Sequence, residues 1–405
     1  MRFQALPGFR DFFPDDLGQR RWIESAWHRA SKNAGFEEID GPVLEALELF
    51  TAKSGPEIAT QLYAFKDRGG REVALRPEMT PTLARMVGAR GAGLPKPIKW
   101  YSVPEFYRYE KPQRGRLRAF YQWNVDVFGS DEPAADAEAI AVALDALRML
   151  GLEPDDVVVR VNDRRFISRA LRELDVTERD EAEVLGLVDK LERDRTASPR
   201  LDDRLGASRA DAVRGLCAEY PLDRAPELGA VIDAAREFGV TTPLVPDFRI
   251  VRGLAYYTGP VWEIFDRGRE LRSLAGGGRY DKLVGALGGP ELSALGFGMG
   301  DAVLGELLAE KKLVPKTQPR VEVAVVAVTP ELAGEARKIV ARLRARGVAA
   351  ETPYGAPKLA KALKAADAAG AARAVIVGPD EWKHGKVMVR DLVAGSDQVV
   401  RVSDL

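Results

Sequence analysis

Cysteine and histidine are almost missing from this 405-residue chain. The single cysteine, Cys217, excludes an intrachain disulfide and a thiolate metal cluster. With only two histidines, His28 and His384, no histidine-based zinc site is expected, and no metal-ligand set is assigned. His28 falls in an amphipathic helix pattern and His384 in a Lys-His-Gly turn, settings that favour solvated or core-edge roles. No apolar run approaches the roughly 18 residues of a membrane helix, and Met1-Arg2-Phe3 lacks a hydrophobic signal core. The expected compartment is therefore the cytosol, with no membrane partner. Charge of one sign is missing too. Against 61 acidic residues, 60 basic ones exclude a basic tail as the means of holding nucleic acid, while leaving a local basic patch open.

What is present is a globular composition, 46% hydrophobic and 30% charged, long enough for two or three cores. Trp22, Ile23, Ala26, Trp27, Ala30 and Ala34 recur at helical spacing over 16–34. Residues 72–76 and 98–128 alternate apolar and polar, the second around a Gly/Arg-rich turn at 111–118, which predicts antiparallel strands and a hairpin. A helix over 134–150 and a strand over Val157–Val161 follow. From about 165 to 245 the chain turns to charged, Leu/Ala-rich helical patterns, the mark of an inserted helical module. Strand patterns return at 247–265 and 270–281, and Gly296–Gly300 leads into a helix over 301–311. Leu313–Pro319 reads as a linker by its prolines. Beyond it, strands at Val321–Val328, Val348–Thr352, Ala374–Val377 and 386–392 alternate with helices over 330–346 and 357–369, which implies a small α/β domain. The expected architecture is α+β: an antiparallel sheet flanked by helices in 1–318, the insertion at about 165–245, and an α/β domain in 319–405.

Four stretches and one residue pair carry residue types suited to chemistry. Arg252-Gly253-Leu254-Ala255-Tyr256-Tyr257-Thr258-Gly259 and Gly276-Gly277-Gly278-Arg279-Tyr280-Asp281 combine a fixed cation, aromatic walls with hydroxyls, and glycines that admit a ligand close to backbone. Arg76-Pro77-Glu78-Met79-Thr80 follows a strand. On extended backbone its carboxylate and hydroxyl would share a side and suit an amine. Arg108 through Arg118 places five basic residues around a Pro/Gly turn, which fits either a solvated hairpin or a polyphosphate or RNA-end site. Gln122 and Asp126, four apart on the outgoing strand, share a face.

In their order along the chain these segments resemble the histidyl-tRNA synthetases, a class II aminoacyl-tRNA synthetase family. Phe106 through Phe120 is similar to motif 2, Asp40-Gly41-Pro42 sits where motif 1 has its proline, and Leu6–Pro14 resembles the N-terminal signature. Arg252–Gly259 and Gly276–Asp281 resemble the two histidine-specific segments. Lys358 through Asp367, with Val375–Gly378 and Val387–Leu392, resembles the anticodon-binding domain. The resemblance implies protein biosynthesis in a homodimer: L-histidine and ATP, with Mg2+, give histidyl-adenylate, and histidine passes to the 3′ end of tRNA(His). It implies that Glu78, Thr80, Gln122 and Asp126 surround the amino group, Asp126 standing where many members have glutamate. Tyr256, Tyr257 and Tyr280 would line the histidine pocket. Arg108, Arg116 and Gln122 would hold ATP, Arg108 would also reach the amino-acid carboxylate, and Arg252 would meet both histidine and the reacting phosphate. Arg108 and Arg252 are thus the implied catalytic pair. In the C-terminal domain Lys358, Lys361, Lys364, Lys383 and Lys386 are candidates for RNA phosphates.

Two departures stand out. Ala255 replaces an acidic residue that many members carry, and Val303 occupies the motif 3 arginine position, leaving Arg272 or Arg279 as candidate substitutes. A paralogue shares most of these motifs: the synthetase-like regulatory subunit of ATP phosphoribosyltransferase, which senses histidine without transferring it. The C-terminal domain and the basic loop with Arg108, Arg116 and Arg118 argue against that reading. A third possibility is an RNA-binding or signalling relative without catalysis.

Overall fold

A computed structural model describes residues 3–51, 60–111, 114–192, 194–252, 256–268, 271–315, 320–355 and 357–405. Gly253, Leu254 and Ala255 lie outside these residues, as do Pro112, Gln113 and the linker residues 316–319. The chain divides into two compact units, Met1–Pro315 and Lys316–Leu405.

In the first unit the strands begin with β1 (Glu37–Glu38), β2 (Leu44–Ala46), β3 (Ala64–Lys66), β4 (Glu72–Leu75), β5 (Ile98–Ser102) and β6 (Glu105–Tyr107). They continue with β7 (Ala119–Phe128), β8 (Val157–Asp163), β9 (Leu244–Pro246), β10 (Pro260–Asp266), β11 (Ala275–Arg279) and β12 (Ala294–Gly300). Among the described residues, β2-β4-β3 forms a small sheet and the other nine strands a large one, ordered β1-β5-β7-β12-β11-β10-β8-β9 with β6 on β7. The large sheet is antiparallel through its centre. Parallel pairs close its edges, β1 with β5 and β9 with β8.

Alternation along these strands gives the sheet two unlike faces. One face carries Trp123, Val125, Phe297, Met299, Trp262, Ile264 and Val159, all buried against the helices Pro14–Asn33 and Pro133–Met149. Trp123 meets Phe297 edge-on at 4.9 Å between ring centroids, and Trp27 of the first helix stacks on Trp123 at 6.1 Å. The other face carries the site.

The inserted region is helical, from Arg164–Glu173 to Pro226–Glu237, but it is not a separate body. Phe166, Leu201 and Leu228 belong to the same hydrophobic cluster as Trp27 and Trp123. The strand expected from 247 begins only at Pro260. The reason is competing hydrogen bonding, one bond local and two from a distant strand. Asp247 accepts from the Arg249 amide at 3.0 Å, and Asn162 donates to the carbonyls of Phe248 (3.0 Å) and Ile250 (3.1 Å). An aspartate that bonds backbone two residues on offers the chain a turn in place of a ladder.

The second unit orders its strands β14 (Ala350–Glu351), β13 (Val323–Ala327), β15 (Arg373–Val377), β16 (Lys386–Asp391) and β17 (Asp397–Arg401). The first three are parallel and the last two antiparallel. Helices Ala333–Ala345 and Leu359–Ala368 serve as crossovers, as parallel pairs require. Strand β17 was not expected, because Val399 and Val400 are its only strong apolar residues.

Phe297 is enclosed by Trp123 and Trp262, so Phe297→Ala is expected to cost about 3–5 kcal/mol of stability. The midpoint and slope of denaturant unfolding check this.

Candidate active site

Glycine makes room for the site. The register places Glu263, Gly276, Gly298 and Asn124 opposite one another on β10, β11, β12 and β7. On this face the middle strands present almost no side chains, so neighbouring groups can lie flat on the backbone. A methyl group at Gly276 would overlap the Arg252 guanidinium, and one at Gly298 would sit 2.7 Å from Gln122 Cδ. Gln122, Asn124 and Asp126 project from β7 onto the same face, as strand alternation requires.

At one end the aromatic and acidic side chains are packed and buried. Tyr280 donates a hydrogen bond to Asp126, and Tyr256 donates to Glu78 Oε2 at 3.0 Å. The Tyr256 ring lies 5.8 Å from that of Tyr280 and 5.2 Å from that of Tyr257. Burial pushes the Asp126 carboxyl up to about 7; the Tyr280 hydroxyl pulls it down and the nearby Glu78 adds to the rise. Burial likewise raises Glu78, against the opposing pull of Arg108, the Tyr256 hydroxyl and Arg252. Glu78 Oε1 is buried and has no hydrogen-bond partner. Thr80 is not on extended backbone as expected. It opens the helix Thr80–Arg90 and reaches the site through the Tyr256 hydroxyl.

Beside this cluster opens a cavity of about 830 Å3 whose wall includes Glu78, Arg108, Arg116, Gln122, Arg252 and Glu263. Arg252 takes a left-handed backbone conformation, φ +50°, uncommon outside glycine. Its guanidinium donates to Glu263 Oε1 at 2.8 Å and to the Gly276 carbonyl at 3.2 Å. Burial works against its charge, but Tyr257 and Glu263 outweigh burial and hold it a cation. Arg108 donates to the Pro77 carbonyl at 2.9 Å and lies over the Phe120 ring. Arg116 pairs with Glu110 at 2.6 Å.

The cavity also takes in Val303 and Arg272. A methyl group on Gly115, in the basic turn, would stand 3.1 Å from Val303 Cγ2 and 3.9 Å from Arg272 Cδ, so all three meet at one point. Arg114 pairs with Glu306 and Glu310, tying this turn to the helix Asp301–Glu310. Arg279, the other candidate for the missing cation, is elsewhere. It is buried on the opposite face of β11 and paired with Asp136 and Asp281.

A family model described as histidyl-tRNA synthetase matches residues 8–301, and one described as anticodon-binding domain matches 322–405. The chain belongs to the histidyl-tRNA synthetase family. This synthetase is 41% identical to the histidine–tRNA ligase of Opitutus terrae over 98% of its own length and 95% of the relative's. To the chloroplastic/mitochondrial histidine–tRNA ligase of Arabidopsis thaliana it is 38% identical, over 98% and 85% of the two chains. A crystal structure of histidyl-tRNA synthetase from a Nostoc species superposes with a TM-score of 0.84 at 25% identity, covering 100% of this synthetase and 98% of that chain. It is an ATP-dependent aminoacyl-tRNA ligase.

Of the residues expected at the site, Glu78, Arg108, Arg116, Gln122 and Arg252 line the cavity of this synthetase; Thr80, Asp126, Tyr256, Tyr257 and Tyr280 gather behind Glu78. Glu263, which orients Arg252, escaped the sequence reading. Its signal was a lone carboxylate among Val261, Trp262, Ile264 and Phe265 of a buried strand.

Two outcomes follow from this geometry. Gly276→Ala should leave the fold intact and displace Arg252, lowering histidine-dependent ATP–pyrophosphate exchange by about tenfold or more. The folded state holds the Asp126 proton more tightly than the unfolded chain, where the carboxyl titrates near its ordinary 3.8. Its contribution to stability is therefore complete below that value and is lost as pH rises through about 7. Unfolding free energies of the wild type should fall relative to Asp126→Asn across this window; a constant difference would contradict the assignment.

Proposed function

We propose that the cavity is where ATP and histidine react, and that the residues around it divide the work as follows. The enzyme is a histidine–tRNA ligase, joining histidine to tRNA at the expense of ATP. Histidine lies between Glu78, Thr80, Gln122 and the tyrosine cluster, its ammonium group on Glu78. The observation that carries this placement is Glu78 Oε1, a buried carboxylate oxygen without a partner on the cavity wall. Such an oxygen costs free energy until a cation or donor reaches it. Asp126, expected beside the amino group, is placed instead against the imidazole because Tyr280 holds its carboxyl, and Tyr256 and Tyr257 wall the ring in.

In the first step a carboxylate oxygen of histidine attacks the α-phosphorus of ATP and pyrophosphate departs in line. This chain needs no nucleophile of its own for that step; its side chains position and neutralise. Arg252, oriented by Glu263 and the Gly276 carbonyl, meets the α-phosphate as charge builds. Arg108 bridges the histidine carboxylate and the phosphates, and Arg116 exchanges Glu110 for a phosphate oxygen. Arg272 supplies the cation that Val303 cannot, because it borders the cavity beside that valine. Mg2+ would enter with the triphosphate and offset part of its charge. In the second step a ribose hydroxyl at the tRNA 3′ end attacks the activated carbonyl and AMP leaves.

The division of labour between the units belongs to the same proposal: chemistry in Met1–Pro315, tRNA reading in Lys316–Leu405. A homodimer through the small sheet fits the exposure of Val43, Leu44 and Phe65 and the proline segment at Asp40–Pro42. A cytosolic location fits the lone cysteine and the lack, among the described residues, of any helix long and apolar enough to cross a membrane.

L-histidine-dependent ATP–pyrophosphate exchange tests the reading. Histidine binding without exchange would overturn it and favour a sensor. Arg272→Ala is expected to raise KM for ATP about ten- to a hundredfold, the worth of one charge-assisted contact. An unchanged KM would remove Arg272 from the site.

A further inference from the structure

The two segments that supply the tyrosines are fastened to each other by groups that do not touch the cavity. Thr258 donates its amide to the Arg279 carbonyl at 2.8 Å, and its hydroxyl bonds Asp281 Oδ2 at 2.9 Å while accepting from the Asp281 amide at 3.1 Å. The other oxygen of Asp281 receives Arg279 Nη1 at 3.3 Å. Arg279 crosses to the back of the sheet, where Asp136 of the helix Pro133–Met149 takes Nη2 at 2.5 Å and Nε at 3.2 Å. The Ser130 carbonyl accepts from Nη1 at 2.8 Å. Gly259 leaves the space this arginine needs, since a methyl there would press on Arg279 Cδ at 3.1 Å.

Arg279 and Asp136 are almost wholly buried, 5% and 3% exposed. A buried ion pair is a weak source of stability, because desolvation offsets most of the attraction, and apolar residues of like volume often serve as well. Its geometry, by contrast, is sharply directional. The chain neighbours of its members are the site tyrosines: Tyr256 and Tyr257 precede Thr258, and Tyr280 lies between Arg279 and Asp281.

We propose that Thr258, Asp281, Arg279 and Asp136 form a clamp of positioning residues that sets the distance between the Tyr256–Tyr257 and Tyr280 walls and so governs affinity for histidine, with little effect on ATP. This rests on the placement of histidine given above. The clamp acts through the tyrosines and touches neither substrate.

The test uses the full-length enzyme, with histidine affinity read by calorimetry and KM values for histidine and ATP read by exchange. Thr258→Val keeps shape and loses the hydroxyl; Thr258→Ser restores it. The double variant Arg279→Met/Asp136→Leu removes both charges of the buried pair together; Asp281, about a third exposed, loses Arg279 but keeps the Thr258 hydroxyl and the Ala294 amide. The clamp predicts that Thr258→Val and the double variant weaken histidine binding and raise its KM roughly tenfold. KM for ATP should stay within about twofold, and Thr258→Ser should match the wild type. Should the double variant fail to fold, Thr258→Val against Thr258→Ser decides alone. Parallel shifts in both KM values, no shift in either, or a serine variant as impaired as valine would overturn the clamp. A wild type that neither binds histidine nor exchanges would instead fell the underlying placement and the clamp with it.

Discussion

Everything at this site depends on two adjacent strands that carry glycine where side chains would stand. Gly276, Gly278, Gly296 and Gly298 leave one face of the central sheet bare, while Trp123, Phe297 and Trp262 close the other. Isolated glycines weaken strands, since they pack nothing and lose much backbone freedom on ordering. Here the aromatic layer behind them compensates. The bare face lets Arg252, Gln122 and Asp126 lie against backbone, so charged groups converge on a small volume.

Charge is then managed in part by pairing cations with nearby acids, while Arg108 rests on the Pro77 carbonyl and the Phe120 ring. Arg252 has Glu263, Arg116 has Glu110 and Arg114 has Glu306 and Glu310. These partners orient the guanidinium groups before substrate arrives, which lowers the ordering cost of binding. Glu78 is the exception, with one oxygen paired and one left over. The imbalance between satisfied cations and an unsatisfied anion gives the site its polarity.

Much of this was legible in the residues themselves. Glycine runs beside Arg252 and the tyrosines announce close backbone approach, and the four-residue spacing of Gln122 and Asp126 holds on a strand whichever way it pairs. Where inference failed, both distant and local constraints were the cause. Phe248 and Ile250 alternate like strand residues, yet Asn162, more than eighty positions away, captures their carbonyls. Thr80 follows a strand but starts a helix, because Pro81 fits a first helical turn. Arg272 and Arg279 look equivalent as candidates near Val303; only the strand register separates them, sending Arg279 through to Asp136.

The contact between Val303 and the Gly115 turn has a consequence for chemistry aimed at this enzyme. Class II synthetases commonly offer a nucleotide an arginine from this helix, a flat and charged lid. Here the helix contributes a branched hydrocarbon, with Arg272 on the same cavity wall. An adenosine mimic with an apolar substituent facing the helix would find a complementary surface here and a poorly matched, hydrated cation in relatives that keep the arginine. On the ATP placement proposed above, the valine that replaces this arginine would also be a handle for selective inhibition.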